Sequence, residues 1–568
     1  MSATVEVAGA APDLAPTWHT LPWGKVWRNV RRLQARIVKA VQQGRWGKVR
    51  ALQHLLSHSF SGRAAAVLRV TSNPGANTPG VDGVLWDSAE KKAQAVQALR
   101  PHGYHPQPLR RLYIPKSNGR KRPLGIPTLH DRAMQALYAL ALDPVAETCA
   151  DANSYGFRRE RCCADALEQC HKVLGCKGSA RWVLEGDIRS CFDRISHAWL
   201  EAHVPLPRAV LHKWLCCGYL ENDVWHETTE GTPQGGVISP ILMNLTLDGL
   251  EGLLHERFGA TARQRQEHKV HLVRYADDFV ITGTSPQLLV NEVKPVVQRF
   301  LRERGLELSE EKTQVTQSED GFDFLGQTIR RRRDDRVILT PSRASVQRLL
   351  AKVDEAIERS GTWTAGKLIA QLNPLIRGWT RYHRHASSSR TFAKVERAIF
   401  RRIWRWARQR HRGKRATWLK RKYFAQRGGR GWVFRGELPD RDGKPAPIFL
   451  VQASRIRIRR HIKVRGKANP YDPSWEPYFE ERLQMKMADP ETGHWQARLL
   501  WKVQDGKCAA CNQKLTLESG WQVHHNEWRV YGGSDQLDNL VLLHTHCHRQ
   551  VHARGKKVDE TASRKGRS

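Results

Sequence analysis

Acidic residues are scarce in this chain: 56 Asp and Glu stand against 94 Lys and Arg in 568 residues, a formal charge of +38. So large an imbalance calls for a polyanion, either nucleic acid or an anionic membrane. Also missing is any unbroken apolar run of about 18 residues, which excludes an ordinary membrane-spanning helix and makes nucleic acid the expected partner. The opening residues, MSATVEVAGAAPDLAPTWHT, have no basic leader and include Glu6 and Asp13, so a secretory signal is not expected and a cytoplasmic location is. The eleven cysteines form no disulfide framework; irregular spacing, with Cys162 and Cys163 adjacent and Cys216 and Cys217 adjacent, reads as reduced thiols. Only Cys508, Cys511 and Cys547 have spacing that suggests chemistry. No internal repeat or long low-complexity tract is present, and the length exceeds what one core supports, so roughly three to five domains are expected.

Composition changes several times along the chain. Residues 21 to about 100 alternate helical runs with a Gly- and Pro-rich loop, NPGANTPGVDG, at 73–83. Residues 108 to about 330 mix short apolar runs typical of strands, WVLEGDI and LVRYADDFVIT among them, with helical stretches, an α+β pattern. From 341 onward three stretches carry apolar residues at three and four spacing, which predicts three successive helices in a compact bundle. Between Arg401 and Arg435 lie fourteen Lys or Arg and no acid, interleaved with Trp404, Trp406, Trp418 and Trp432. Two readings stay open for the tryptophans: stacking platforms for unpaired bases beside phosphate-binding cations, or the core of the bundle. A Pro-rich basic segment follows to about 485, and the last eighty residues collect Cys and His.

LVRYADDFVIT places Asp277 and Asp278 where a tight turn would join two strands, and WVLEGDIRSCFDRI sets Asp187 at the end of an apolar strand. Phosphoryl transfer to a 3′-hydroxyl needs two divalent ions about 4 Å apart, held by carboxylates from separate strands. Asp187 and Asp277 can supply that pair. Because side chains alternate along a strand, Asp277 is the first choice of ligand and Asp278 the supporting one.

YADD resembles the signature of reverse transcriptases, and the blocks around it resemble those of group II intron-encoded reverse transcriptase-maturases. NTPGVDG, RRLYIPKSNGRKRPLGIPTLHDRAMQ, SYGFR, GDIRSCFD, GTPQGGVISPILMNLTLDGL, YADD, LELSEEKTQV and GFDFLG follow the family's order over nearly the whole chain. The resemblance implies a right-hand polymerase, with fingers and palm built on an antiparallel sheet with helices, a three-helix thumb or maturase bundle, and a small zinc-stapled ββα-metal nuclease. It divides the chain into a leader over 1–20 expected to lack order, an N-terminal extension over 21–105, fingers and palm over 106–330, a thumb/maturase domain over 331–435, a DNA-binding segment over 436–490 and a nuclease over 491–568. It implies that Lys116 and Arg122 neutralise the incoming triphosphate and that Phe192 clashes with a ribose 2′-hydroxyl. It also sets Gln234 against the nucleotide sugar, makes Lys312 the acid for departing pyrophosphate, and assigns Mg²⁺ to Asp187, Asp277 and Asp278. LNPLIRGWTRYHRH resembles the most recognisable segment of the maturase domain.

Near the C-terminus, Cys508-Ala-Ala-Cys511 and His544-Thr-His-Cys547 form two pairs thirty-three residues apart, a layout that suits tetrahedral structural zinc. His544 stands where many relatives of this nuclease class have Cys. His524, His525, Asn539, His548 and His552 are interleaved with these pairs and resemble the His-Asn-His nuclease motif. His548 and His552, four apart, share a helical face. The resemblance makes His524, His548 and His552 ligands of a catalytic divalent ion, His525 the general base and Asn539 the residue orienting its loop; imidazole suits such a base because it titrates near neutrality. The implied partners are group II intron RNA, target DNA and deoxynucleoside triphosphates, with a homodimer left open. Splicing help, nicking of a DNA strand and extension of the nicked end by reverse transcription are the implied activities. A splicing cofactor with a relic polymerase site and a retron-type enzyme are the alternatives; the first conflicts with the intact carboxylates, the second with the maturase and nuclease segments.

Overall fold

A computed structural model describes residues 18–554, apart from 116–120, 441–442, 488–494, 517–518, 528–533 and 535. The N-terminal part is helical. In the helix Trp23–Gln42, Trp23, Val26, Val30, Leu33, Ile37 and Ala40 recur at three and four spacing and are all buried, so one face packs inward. It lies with Trp46–His58 and Phe60–Thr71 around the helix Leu129–Cys149, which is apolar nearly all round and buried along most of its length. Thr128 caps this central helix by accepting from the Asp131 N–H. The last three residues of the expected leader, Trp18–Thr20, form a 3-10 turn whose Trp18 packs edge-on to Trp23 at 5.1 Å. That tryptophan belongs to the folded body, and residues 1–17 lie outside the described residues.

A four-stranded antiparallel sheet forms the middle of the chain, in the order Leu272–Tyr275, Asp278–Gly283, Trp182–Asp187, Gln314–Gln317. Apolar side chains alternate across it: Leu184 joins the core made with the N-terminal helices, while Val183 joins a second core on the other face with Val273 and Val280. A second sheet, in the order Lys121–Ile126, Leu109–Pro115, Tyr219–Glu221, Val224–His226, stands beside it. The α+β reading of 108–330 holds, and beyond it the three-stranded sheet of Phe322–Phe324, Gln327–Arg331 and Val337–Pro341 leads into the helices.

Three helices follow as their periodicity requires, Arg343–Glu358, Ala365–His383 and Ser389–Arg410, around Val353, Leu368, Leu372, Phe392, Ile399 and Ile403. They do not stand alone. A three-stranded sheet, Phe424–Arg427, Arg430–Pro439 and Pro445–Phe449, packs so closely that a Cβ on Gly366 would lie 2.0 Å from the Glu437 carbonyl oxygen. Its long central strand crosses position 435, where the sequence reading sets a domain boundary. The four tryptophans divide: Trp406 is buried in the helical core and Trp404 is half-buried, whereas Trp418 and Trp432 are exposed with Lys422 and Lys420 over their rings at 4.8 and 4.6 Å. Some cations of this stretch are neutralised from outside it, Arg402 by Asp354 at 2.6 Å and Arg430 by Glu396.

Beyond Phe449 the chain crosses back to the central sheet without regular strands. Asp165, fully buried, accepts from the Val464 N–H at 2.7 Å and pairs with His461 at 2.8 Å. Burial pushes this carboxyl up, but the His461 and Val464 contacts outweigh it and hold it down to about 2.

His383 ties the helices to the sheet. Its Nδ1 accepts from Gln327 Nε2 at 2.8 Å and its Nε2 lies 2.8 Å from Ser345 Oγ, with 1% of the residue exposed. Burial, then the charges of His385 and Arg348, push it down to about 3, so the folded state holds the ring neutral. Protons therefore favour the unfolded chain, and the contribution present above pH ~6.5 should fall by about 1 kcal/mol per unit as pH drops from there toward 4.5. Urea unfolding between pH 7.5 and 5.0 should show a shallower acid loss for His383→Gln than for the wild type.

Candidate active sites

The first site is assembled by strand register. Asp187 ends its strand and Asp278 begins the next, and the two are direct cross-strand partners, so both carboxylates leave the same side of the sheet. Asp277 sits in the turn that joins Tyr275 to Asp278, a turn made possible by Ala276 at φ +59°. Desolvation and the Asp187 charge push the Asp277 carboxyl up. Desolvation by the surrounding protein, although Asp278 itself reaches solvent, together with the charges of Asp277 and Asp187 raises Asp278 to about 7. Three carboxylates so arranged repel one another, the electrostatic signature of a place that fits divalent cations.

Two cations relieve part of that repulsion. Lys312 Nζ lies 2.7 Å from Asp187 Oδ2, placed by a turn in which the Ser309 N–H donates to the Asp187 carbonyl and the Lys312 N–H to the Ser309 carbonyl. The hydrogen bond to Asp187 raises the Lys312 pKa, so the ammonium stays charged. Arg122, exposed on the neighbouring sheet, is near enough for its charge to lower Asp277. Lys116 lies outside the described residues.

Phe192 lies on the short helix Cys191–Arg194, partly buried against the core, and its carbonyl accepts from the Thr232 N–H at 2.6 Å. Gln234 donates from Nε2 to Asp193 at 2.7 Å, and its carbonyl accepts from the Gly125 N–H at 2.8 Å. Gly235 has φ +124°, and a Cβ there would lie 2.7 Å from the Gly125 oxygen. The TPQGG loop and the fingers-block strand thus touch backbone to backbone, bordering a cleft of about 340 Å³ that Asp193 and Gln234 line.

Support for the turn comes from residues that sequence reasoning did not single out. Arg274 is completely buried, paired with Asp248, and donates to Asn244 Oδ1 at 3.2 Å and to the Ala276 carbonyl at 3.4 Å. Asn244 Nδ2 donates to the Gly156 carbonyl at 2.9 Å, and a Cβ on Gly156 would stand 2.3 Å from the Ala276 nitrogen. The signals were present as an arginine inside an apolar strand and an Asn and Asp in the helical block after TPQGG, but their convergence is tertiary.

A second site lies near the C-terminus, where the strands Trp521–His525 and Leu540–His544 pair antiparallel and the helix Thr545–Arg554 follows. His524, His548 and His552 bring one ring nitrogen each to within 4.8 Å of the others. His524 is 1% exposed and neither ring nitrogen has a hydrogen-bond partner, an orphaned buried group that suits a metal ligand. Burial, then His548 and His552, lower it to about 4, which keeps the ring in its neutral, ligating form. Asn539 holds the loop after the first strand: its Oδ1 accepts from the Glu527 N–H at 2.7 Å and its Nδ2 donates to the Glu527 carbonyl at 3.0 Å. His525 ends that strand beside this loop.

Cys508, Cys511, His544 and Cys547 make a separate cluster, with ligand atoms mutually within 4.8 Å. His544 Nε2 lies 3.0 Å from the Lys514 carbonyl, and an N–H donated there leaves Nδ1 facing Cys511 Sγ at 3.3 Å. Three thiols and one imidazole in this layout suit tetrahedral zinc. The cluster packs on the far end of the chain: His546 stacks on His544 and lies 5.6 Å from Trp23, and Gln550 Nε2 is 3.5 Å from the Trp18 and His19 carbonyl oxygens.

Four family models match in succession: the N-terminal domain of reverse transcriptase over residues 18–99, reverse transcriptase (RNA-dependent DNA polymerase) over 114–329, the group II intron maturase-specific domain over 346–424, and HNH endonuclease over 508–554. Protein YkfC of Escherichia coli is 36% identical over 309 residues, spanning 47% of this chain and 80% of YkfC. The group II intron-encoded protein LtrA of Lactococcus lactis is 34% identical over 324 residues, spanning 46% of this chain and 54% of LtrA. An uncharacterized 91 kDa protein in the cob intron of Schizosaccharomyces pombe is 29% identical over 321 residues, 46% of this chain and 39% of that protein. The domains define a reverse transcriptase joined to an endonuclease. The chain belongs to the group II intron-encoded reverse transcriptase-maturases, with an HNH endonuclease domain at the C-terminal end. No helix among the described residues is long and apolar enough to cross a membrane.

Removing the buried cation under the turn should be severe. Arg274→Ala removes the cation that holds down the Asp248 carboxyl, which burial already pushes up to about 7, and leaves Asn244 Oδ1 and the Ala276 carbonyl without their donor; it is expected to destabilise the protein by about 3–5 kcal/mol. Denaturant unfolding would measure it, and a loss below about 1 kcal/mol would show that the pair does not hold the turn.

Proposed function

We propose that the chain performs RNA-directed DNA synthesis at Asp187, Asp277 and Asp278, assists splicing of a group II intron RNA, and nicks one strand of a DNA target whose new 3′ end then primes reverse transcription. One observation carries the polymerase reading: carboxylates from adjoining strands and their turn converge, with Lys312 against Asp187 and Arg122 within electrostatic reach. Mg²⁺ bound by those carboxylates would supply charge neutralisation for both the attacking and the leaving oxygen.

The chain's own residues divide the remaining work. Asp187, Asp277 and Asp278 hold the metal, with Asp278 given equal rank to Asp277 by its register. Arg122, with Lys116, receives the triphosphate through charge-assisted hydrogen bonds. Phe192 occupies the space a 2′-hydroxyl would need, and Gln234 turns from Asp193 to the sugar. Lys312, kept protonated by Asp187, gives its proton to the departing pyrophosphate. The helices over 343–410 and the adjoining sheet act as thumb and maturase surface. Exposed Trp418 and Trp432 stack on unpaired bases among cations that neutralise phosphates. The irregular segment after Phe449 carries target DNA. In the nuclease, His524, His548 and His552 bind a divalent ion, His525 activates water, and Asn539 fixes the loop. Zinc at Cys508, Cys511, His544 and Cys547 staples the module. The protein works in the cytoplasm.

Primer extension on an RNA template should fall by at least about 10³-fold for Asp277→Ala, in the range expected when a metal-clamped transition state loses a ligand. DNA synthesis at the wild-type rate would remove that assignment. For the nuclease, His525→Ala should abolish nicking of a target duplex and leave primer extension intact; unchanged nicking would mean that another residue is the base.

A further inference from the structure

Phe157 is held in a conformation that bulky side chains rarely adopt, with φ +57°, yet its side chain is not buried: 55% of the residue is exposed. Burial of the ring therefore does not account for the strain. Its neighbours hold it there. Gly156 lies against the carboxylate turn, with no room for a Cβ beside the Ala276 nitrogen at 2.3 Å, and its carbonyl accepts from Asn244. On the other side Arg158, buried, donates twice to Glu147 at 2.8 Å and once to the Ser154 carbonyl at 2.7 Å. The left-handed turn is thus clamped between the Asp277 turn and the central helix Leu129–Cys149. Strain of this kind persists only where the surroundings over-determine it, and it concentrates at working sites.

The exposed ring meets Phe192. Their centroids are 6.2 Å apart with planes at 80°, the edge-to-face geometry that aromatic quadrupoles favour. Phe192 needs such a neighbour, because it sits on a helix of only four residues whose preceding residue, Ser190, is itself left-handed at φ +47°. A ring that must refuse a single hydroxyl cannot tilt freely, and the short helix supplies little to stop it.

We propose that Phe157 is a positioning residue for sugar discrimination: its ring, edge-to-face with Phe192, fixes the angle of that ring and sets how strongly a ribonucleotide is refused. The inference rests on the reading of Phe192 as the sugar gate. Without Phe157 the Phe192 ring gains a direction in which to swing, and the 2′-hydroxyl finds space. Nothing in this role requires Phe157 to touch the reacting atoms.

The test is single-nucleotide incorporation on an RNA template, comparing kcat/KM for a ribonucleotide with that for the matching deoxynucleotide in wild type, F192A, F157G and F157Y. Glycine accepts φ +57° without strain, so F157G removes the ring without opposing the backbone, and its melting temperature checks the fold. F192A should relax the ratio most. F157G should relax it by about three- to tenfold, the scale of one aromatic pair, and F157Y should restore it. If F192A relaxes the ratio and F157G does not, Phe157 has no part in discrimination. If F157G lowers both substrates equally, or F157Y fails to rescue, its role is general support and the proposal is overturned. If F192A leaves the ratio unchanged, the gate reading falls and this inference with it.

Discussion

The buried pair of Arg274 and Asp248 is the constraint on which the polymerase site depends. A guanidinium with no exposure sits directly under the carboxylate turn, and a charge so placed is tolerable only when paired and hydrogen-bonded. It is held by the same groups it organises: the Ala276 carbonyl above, Asn244 from the helix after TPQGG, and through Asn244 the Gly156 backbone. Three separated stretches of sequence therefore meet around one cation. The repulsion among Asp187, Asp277 and Asp278 can be sustained because this framework is too tightly connected to let them move apart.

Opposite electrostatic solutions serve the two ends of the protein. At the central sheet negative groups are crowded and flanked by Lys312 and Arg122. In the nuclease module neutral imidazoles are crowded instead, and burial of His524 lowers its affinity for protons so that its nitrogens stay free. Both arrangements are poor as packing and suitable as cation sites. The cysteine cluster differs from both, since its ligands are enclosed and its imidazole is tied back to the Lys514 carbonyl, as a closed structural site would be.

What could be read from sequence was what is local. YADD, the Asp187 strand, the three amphipathic helices and the two metal-spaced clusters are written in short windows, and they stand where spacing put them. Register was not legible: strand alternation favoured Asp277 over Asp278, whereas pairing sets Asp278 directly across from Asp187. The sheet over 424–449 escapes a sequence reading because cations, glycines and prolines break up its short apolar runs, Trp432-Val433-Phe434 and Ile448-Phe449, and its buried side chains find their core only in the folded helices before it. The tryptophans of the basic stretch could not be sorted by composition, since Trp406 and Trp432 differ only in what folds against them. Trp18 reads as part of an unstructured leader because, apart from Trp23 at the start of the next helix, its partner is Gln550 of the C-terminal module, 532 residues on.

That last contact makes the chain a closed circuit. The segment around Trp18 touches Gln550, while His461, on the irregular segment that leads to the endonuclease, is fastened to Asp165 of the helix Cys163–Gly175, so the endonuclease is moored at two points rather than tethered by a loose string. A moored blade cuts at a constant remove from the copying centre. The span that a severed strand must cross to reach the copying centre then becomes a dimension of the molecule, as fixed as the pitch of a gear.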